Sequence, residues 1–426
     1  MIGRLEKLNE LNIVITAIGA IVLFLGLLSD YFRRHWWTSD PLTAMLLGIL
    51  LSPIGLGLVN PTGWGTPTED LLEQAARLTL AIGLMGVALR LPRNYFLNHW
   101  QPLAVLLGLV MPLMWGMSGL LVYGILKIPF WQAMLVGATV TPTDPIVATA
   151  IVTGVIAEEH LPNRLRHIVS AESGANDGLA YPFVLLSILM LKRTPTDALS
   201  HWFIHVLLWE VGGAIVFGVI LGYVSGRLLE WAERKQTIEN SSFLGYSIAL
   251  SLTALGTGKL IGTDGILVVF VTGMVFGNVI RGNERAEEDN VQEAINRFFT
   301  LPVFILLGLT IPWQQWLALG WGNLVLLVVT ILLLRRIPAI LLLNRYIQPI
   351  RNIPEAMFVG WFGPIGVAAM FYAGYSLRET GVEEVWSVCS LMICTSIIAQ
   401  GLSATPLTKL YGEYINQQQY SQTTNQ

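Results

Sequence analysis

Two short stretches of this sequence place charged and hydroxyl-bearing side chains among residues that are otherwise apolar. The first, GATVTPTDPIVATAIVTG from Gly137 to Gly154, sets Asp144 between Pro142 and Pro145, with Thr141 and Thr143 beside it. Each proline removes a backbone donor and its ring clashes with the preceding turn, so a helix is predicted to break around Thr141–Asp144. A break frees carbonyl oxygens and helix ends that can ligate an ion. The plainer alternative is a kink in which Thr141 and Thr143 bond to the freed carbonyls. The second stretch, IVSAESGANDGLAYPFVLL from Ile168 to Leu186, puts Ser173 and Asp177 at i, i+4. They are about 40° apart on a helix, so hydroxyl and carboxylate can face one cavity. Glu172 and Asn176 form a second such pair on an adjoining face, while Glu172 and Asp177 diverge by roughly 140°, which argues against a shared two-carboxylate site. Read as an ordinary Asn-Asp-Gly turn, the segment would interrupt a long apolar run and leave both carboxylates without a purpose. The chemistry open to Asp177 is reversible. Desolvation favours a neutral acid and a bound cation favours the carboxylate, and oxygen-only ligands suit a hard alkali cation.

Glu172 needs a partner, and VVTILLLRRIPAILLL offers Arg335 and Arg336 in apolar surroundings. Removing one member of a buried ion pair leaves an expensive lone charge, so Glu172 with Arg336 reads as a clamp between helices. The competing reading has both arginines snorkelling to the membrane surface, with Pro338 marking a bend. A second predicted break lies in WFGPIGVAAMFYAG at Gly363, Pro364 and Gly366, with no charge inside it.

These residues must be positioned by membrane helices. Of 426 residues, 54% are hydrophobic and 12% charged, against about 25% charged in a typical soluble domain. Apolar runs of about 20 residues, enough to cross a ~30 Å hydrocarbon core, recur along the chain. The fold class expected is an all-α polytopic membrane protein with thirteen spans, near 11–29, 41–59, 69–89, 102–126, 130–153, 164–191, 205–230, 241–261, 264–280, 296–312, 322–343, 353–376 and 384–411. Breaks in the fifth and twelfth spans suggest two six-helix repeats, inverted relative to each other by the odd helix between them. Connectors after odd-numbered spans, with the C-terminal end, carry 15 Lys and Arg, and the other side carries 7. By the positive-inside rule the N-terminus is outside and the C-terminus cytoplasmic. Arg4 and Lys7 before the first run resemble a signal peptide, but the bulky Asp30–Trp37 stretch lacks a clear cleavage site and favours a membrane helix.

The net charge of −3 provides no basic field for nucleic acid. Cys389 and Cys394, five residues apart, diverge by roughly 140° and read as two small buried apolar residues. The polar stretch Arg281–Arg297 reads as a solvated connector, and 412–426 as a short disordered cytoplasmic tail. With no nucleotide-binding loop, the chain is not expected to be an enzyme or to carry a cofactor.

TPTDPIVA, followed by RLRHIVSAESGANDGLAYPFVLL, resembles the Na+/H+ antiporters of cation–proton antiporter family one. FGPIGVAAMFYAG is especially similar to the corresponding segment of the fungal plasma-membrane members. The most specific element is Glu-Ser-Gly-x-Asn-Asp-Gly about 30 residues after a Thr-Asp-Pro break. The resemblance implies that Asp177 binds either cation or proton, with Ser173 and the Thr141 carbonyl as further Na+ ligands. Asn176 matches the Asn of the family's Asn-Asp pair, Glu172 and Arg336 its helix-linking ion pair, and Asp144 the acid that neutralises helix ends. It also implies a homodimer in the plasma or inner membrane. There, core helices near 102–191 and 322–411 would move against dimerisation helices near 11–89 and 205–312, all within one transmembrane domain, 1–411. Two departures stand out. Many relatives carry an Arg where this chain has Ile365, and some supply an acid from the third span, whose middle, LAIGLMGVALRLP, has none.

The expected function is exchange of Na+ or Li+ for H+ by alternating access, electroneutral if Asp177 alone titrates. K+/H+ exchange and an ion-coupled organic-solute symporter of the same fold are the alternatives. No clamp for a solute carboxylate is evident. A channel would need a continuous pore, which paired breaks suit poorly. An intramembrane protease using Asp177 and Asp264 lacks the usual glycine just before Asp264 in IGTDGILVVF.

Overall fold

The computed structural model describes residues 10, 12–25, 27, 39–64, 67–145, 147–235, 243–280 and 285–424. Arg4, Lys7, the 30–37 stretch and residues 281–284 lie outside them. Among the described residues every regular element is a helix. In chain order these include α1 (Asn12–Leu25), α2 (Asp40–Leu51), α3 (Thr68–Arg90), α4 (Trp100–Leu126), α5 (Phe130–Thr139), α6 (Asn163–Leu179) and α7 (Tyr181–Lys192). They continue with α8 (Pro195–Arg234), α9 (Phe243–Leu260), α10 (Gly265–Val279), α11 (Arg285–Leu309), α12 (Trp321–Leu334), α13 (Ile337–Leu343), α14 (Ile353–Trp361), α15 (Val367–Thr380) and α16 (Glu383–Thr424).

Six helices among the described residues are long and apolar enough to cross a membrane, against the thirteen similar spans expected. The difference has local causes. Some apolar helices are short: α10, where Asp264 Oδ1 accepts the Ile266 and Leu267 N–H groups at 3.0 and 3.3 Å, runs only to Val279, and α2, started by Ser39, ends at Leu51 rather than near 59. Others are divided where the backbone leaves the helix, as between α5 and Thr149 and between α14 and α15. Two stretches are more helical than their polarity suggested. Residues 285–297, read as a connector, open α11, and 412–424, read as a disordered tail, extend α16. Both are rich in Glu, Gln or Ala, which lose little on entering a helix.

Close packing in the membrane relies on small residues. On α8, Gly218, Gly222 and Gly226 recur every fourth residue against α10, and a Cβ at any of them would come within 2.5–2.9 Å of α10 atoms. Next to it, α6 meets α10 through Gly174 and Gly178, the latter with room for no Cβ beyond 2.9 Å from Leu267. Side chains such as Ile204, Leu208 and Val216 on α8, and Val325 and Leu333 on α12, remain exposed on the outside of the bundle. An apolar exterior is what a hydrocarbon solvent allows. The two divided regions lie inside it.

Candidate functional site

Helix α5 ends at Thr139, and residues 141–144 run without regular structure until Thr149. Helix α14 ends at Trp361, and 362–366 are likewise unwound before Val367 starts α15. Pro142 and Pro145 stand in the first break; Gly363, Pro364 and Gly366 stand in the second. The two segments touch, with the Asp144 N–H donating to the Pro364 carbonyl at 2.8 Å.

Each break leaves helix ends whose N–H or C=O groups have no partner within the helix, and opposite charges settle on them. Asp144 accepts from the N–H of Val367, at the start of α15, and from that of Val147 at 3.3 Å. Arg335, only 3% exposed, lies at the carboxyl ends. Its guanidinium donates to the carbonyls of Val140 and Gly363, and to those of Thr141 and Pro142 at 3.2 and 3.4 Å. Acids at helix N-termini and bases at C-termini complement the helix dipole. The second break, uncharged in its own sequence, thus receives both signs from elsewhere. Ile365 is fully buried, and its N–H donates to Ser396 Oγ at 2.8 Å. Ser396 in turn donates to Gln400, which caps Trp361 O.

Glycine is required where the segments cross. A Cβ on Gly366 would overlap the Asp144 carboxylate, and one on Gly363 would overlap the Arg336 side chain. Gly366→Ala is therefore expected to destabilise the protein by about 1–3 kcal/mol, as overpacking does. Gly116→Ala, where a Cβ meets nothing within 4 Å, should be close to neutral. Thermal unfolding in detergent compares them, and equal midpoints would show that the crossing is not tight.

A second network ties the first break to α6. Arg336 grips Glu172 with both terminal nitrogens, at 2.7 and 3.1 Å, and donates through Nε to Val359 O at 3.2 Å. Both side chains are almost fully buried, at 2% and 1%, so neither arginine snorkels. Asn176 donates to Glu172 at 3.0 Å and to Thr143 Oγ1 at 2.7 Å, and accepts from the Thr143 N–H at 3.0 Å. Thr143 Oγ1 also lies 3.0 Å from Ser173 Oγ. Glu172, Ser173, Asn176 and Arg336 therefore converge, joined by Thr143.

Asp177 stands apart. It is fully buried, yet neither carboxylate oxygen has a hydrogen-bond partner among the described residues. Its main-chain carbonyl is engaged instead, accepting from the Tyr372 hydroxyl at 2.6 Å. Leaving a buried charged group unsatisfied is costly, so this carboxyl has the environment of a group that takes up a positive ion. Thr141 is not brought to it as a free ligand. Its hydroxyl bonds to Gly137 O at 2.7 Å, and its carbonyl is shared with Arg335. The acid at the start of the third span, Glu73, is buried but paired with Arg378 at 3.2 Å.

Sequence reading missed three parts of this arrangement. Arg335 has its own set of carbonyl acceptors, and the signal for it is that two arginines in one apolar run each need an acceptor. The i, i+4 pair Ser396 and Gln400, polar within an apolar span, was a readable signal. Tyr372 carried none beyond its place in a motif.

A family profile described as "Sodium/hydrogen exchanger, transmembrane" matches residues 16–410. The chain is 30% identical over 96% of its length to a protein of Zygosaccharomyces rouxii named Na(+)/H(+) antiporter 2, covering 54% of that protein. It is 28% identical to the Na(+)/H(+) antiporter of Schizosaccharomyces pombe, covering 97% of this chain and 94% of the other. It spans about half the length of the first curated relatives it matches. Its fold is similar to that of the sodium proton antiporter MjNhaP1 from Methanocaldococcus jannaschii, with a TM-score of 0.71 at 18% identity over 95% of this chain and 99% of that one.

Proposed function

The chain belongs to the sodium/hydrogen exchanger family, a family of multi-pass membrane transporters, and from that premise we propose that it exchanges Na+ or Li+ for H+ through a single site at Asp177. The observation that carries the reading is the buried carboxylate whose two oxygens find no partner among the described residues, on the helix next to both breaks. Asp177 is the alternating acceptor. It holds a proton in one crossing form and a dehydrated alkali cation in the other, with Ser173 one turn away as a neutral oxygen ligand and water filling the shell. The Thr141 carbonyl contributes through its second lone pair while Arg335 occupies the first. Glu172, neutralised by Arg336, and Asn176, which cannot titrate, hold the shape of the site without taking part in the exchange.

The wider arrangement is proposed on the same basis. Thirteen spans in two inverted repeats place the breaks at corresponding positions. Core helices at 102–191 and 322–411 move against scaffold helices at 11–89 and 205–312, and two copies pair through the scaffold in a plasma or inner membrane. The distribution of Lys and Arg supports an external N-terminus and a cytoplasmic C-terminus.

Purified protein in acid-loaded proteoliposomes tests the function. Internal pH should rise when Na+ or Li+ is added outside, with K+ and choline run separately. A pH trace indifferent to all three alkali cations between about pH 6 and 9, the span over which a shifted carboxylate titrates, would end the antiporter reading.

A further inference from the structure

A second pair of carboxylates, Asp264 buried and Glu210 partly so, lies at the capped start of α10, and the exchange at Asp177 makes no use of it. The Asp264 main-chain N–H donates to the carbonyl of Glu210 on α8 at 3.1 Å, which brings the two acids together. Asp264 is 4% exposed. One of its oxygens caps α10, and the other, Oδ2, is buried without a partner among the described residues, as is Oε2 of Glu210. Tyr181 neighbours Glu210 and Tyr375, its ring centroid 6.5 Å from that of Tyr375. The positive groups facing the pair are at its edge. Lys259 reaches Asp264 from α9, and His205, half-exposed, lies 3.6 Å from the remaining Glu210 oxygen with the His201 ring behind it. Two adjacent acids with unpartnered oxygens repel in a low dielectric unless a positive charge lies between them.

This group adjoins Asp177. Leu267, in the first turn of α10, packs against Gly178 with no room for a Cβ. Tyr372, whose hydroxyl donates to the Asp177 carbonyl, lies within electrostatic reach of both Asp264 and Asp177. We propose that Glu210 and Asp264 form a second binding site for a monovalent alkali cation. The hydroxyls of Tyr181 and Tyr375 complete an all-oxygen shell of the kind hard cations take, and the ion is held there before it reaches Asp177. The site rests on the exchange reading for the identity of its ion, and it lies on the face of the membrane proposed to be external.

Melting of the full-length purified chain in NaCl against choline chloride at equal ionic strength tests it, because a ligand that binds only the folded state raises the midpoint. Asp177→Asn should keep a sodium-specific rise, and Asp177→Asn with Asp264→Asn should lose it. Asparagine retains the cap on α10, so the second change removes charge without removing the helix start. Loss of the sodium effect in Asp177→Asn alone overturns the second site, as would its survival in the double variant. The first of these outcomes is also what a shared proton in place of a cation would give. Should Asp177→Asn not fold, Glu210→Gln with Asp264→Asn in the native background replaces it. That variant should raise the apparent KM for external Na+ several-fold, more than it lowers the maximal rate, and native sodium dependence there refutes the site. Failure of wild-type vesicles to exchange ions, with the sodium-dependent melts intact, would instead count against the exchange reading.

Discussion

Asp177→Asn is expected to reduce cation-driven proton movement to the level of protein-free vesicles while leaving a folded protein. The amide keeps the shape of the side chain and loses the one negative charge whose oxygens have no partner among the described residues. Because no hydrogen bond to those oxygens holds the fold, the substitution should elute and melt like the native chain. Stoichiometry is tested in the same vesicles. Asn176 spends its amide on Thr143 and Glu172, so under the proposed exchange Asp177 alone trades one proton for one monovalent cation. Exchange should then be indifferent to an imposed potential, whereas one net charge moved would be worth about 2.3 kcal/mol per 100 mV. Acceleration by voltage of one sign would mean that another carboxyl, Asp144 first among them, joins the exchange.

Glu172→Ala should have the largest effect on stability. It strands Arg336 inside the bundle and removes acceptors from Asn176 and Thr143 as well. Breaking a buried pair from one side costs about 3–5 kcal/mol. Glu172→Ala with Arg336→Ala should regain part of that loss, since no lone charge remains. Thermal melts of the two variants and the wild type in detergent decide it: equal midpoints for all three would mean that the pair holds nothing together.

Charged residues in apolar runs made the centre of this molecule legible. Asp144, Glu172, Asp177 and Arg336 each stand out because a membrane tolerates them only for a reason, and the prolines beside Asp144 announce a break. What could not be read was which acceptor each donor takes. Arg335 and Arg336 are neighbours in sequence, yet one turns to the carbonyls of Val140 and Gly363 and the other to Glu172. That choice depends on how α12 and α13 meet at the crossing. That the Thr141 carbonyl has a second claimant is hidden for the same reason: Arg335, which donates to it, lies 194 residues away along the chain. Span lengths are less legible: α2 stops at Leu51, short of the expected 59, because hydropathy averages over the Pro and Gly residues of the turn that follows.

The charges at the crossing have a further consequence for leakage. At their ordinary charges Asp144, Glu172, Arg335 and Arg336 sum to zero, and each lies against its opposite or against a helix end of opposite sign. Seen from the surrounding hydrocarbon, they form a set of short dipoles whose field decays quickly. Under the proposed exchange, the charge that this crossing region presents to the bilayer then turns on Asp177. Empty, it is a bare ion in an insulator; loaded with a proton or a monovalent cation, it is neutral. A return journey without cargo is thus opposed by the dielectric itself, with no gate having to close.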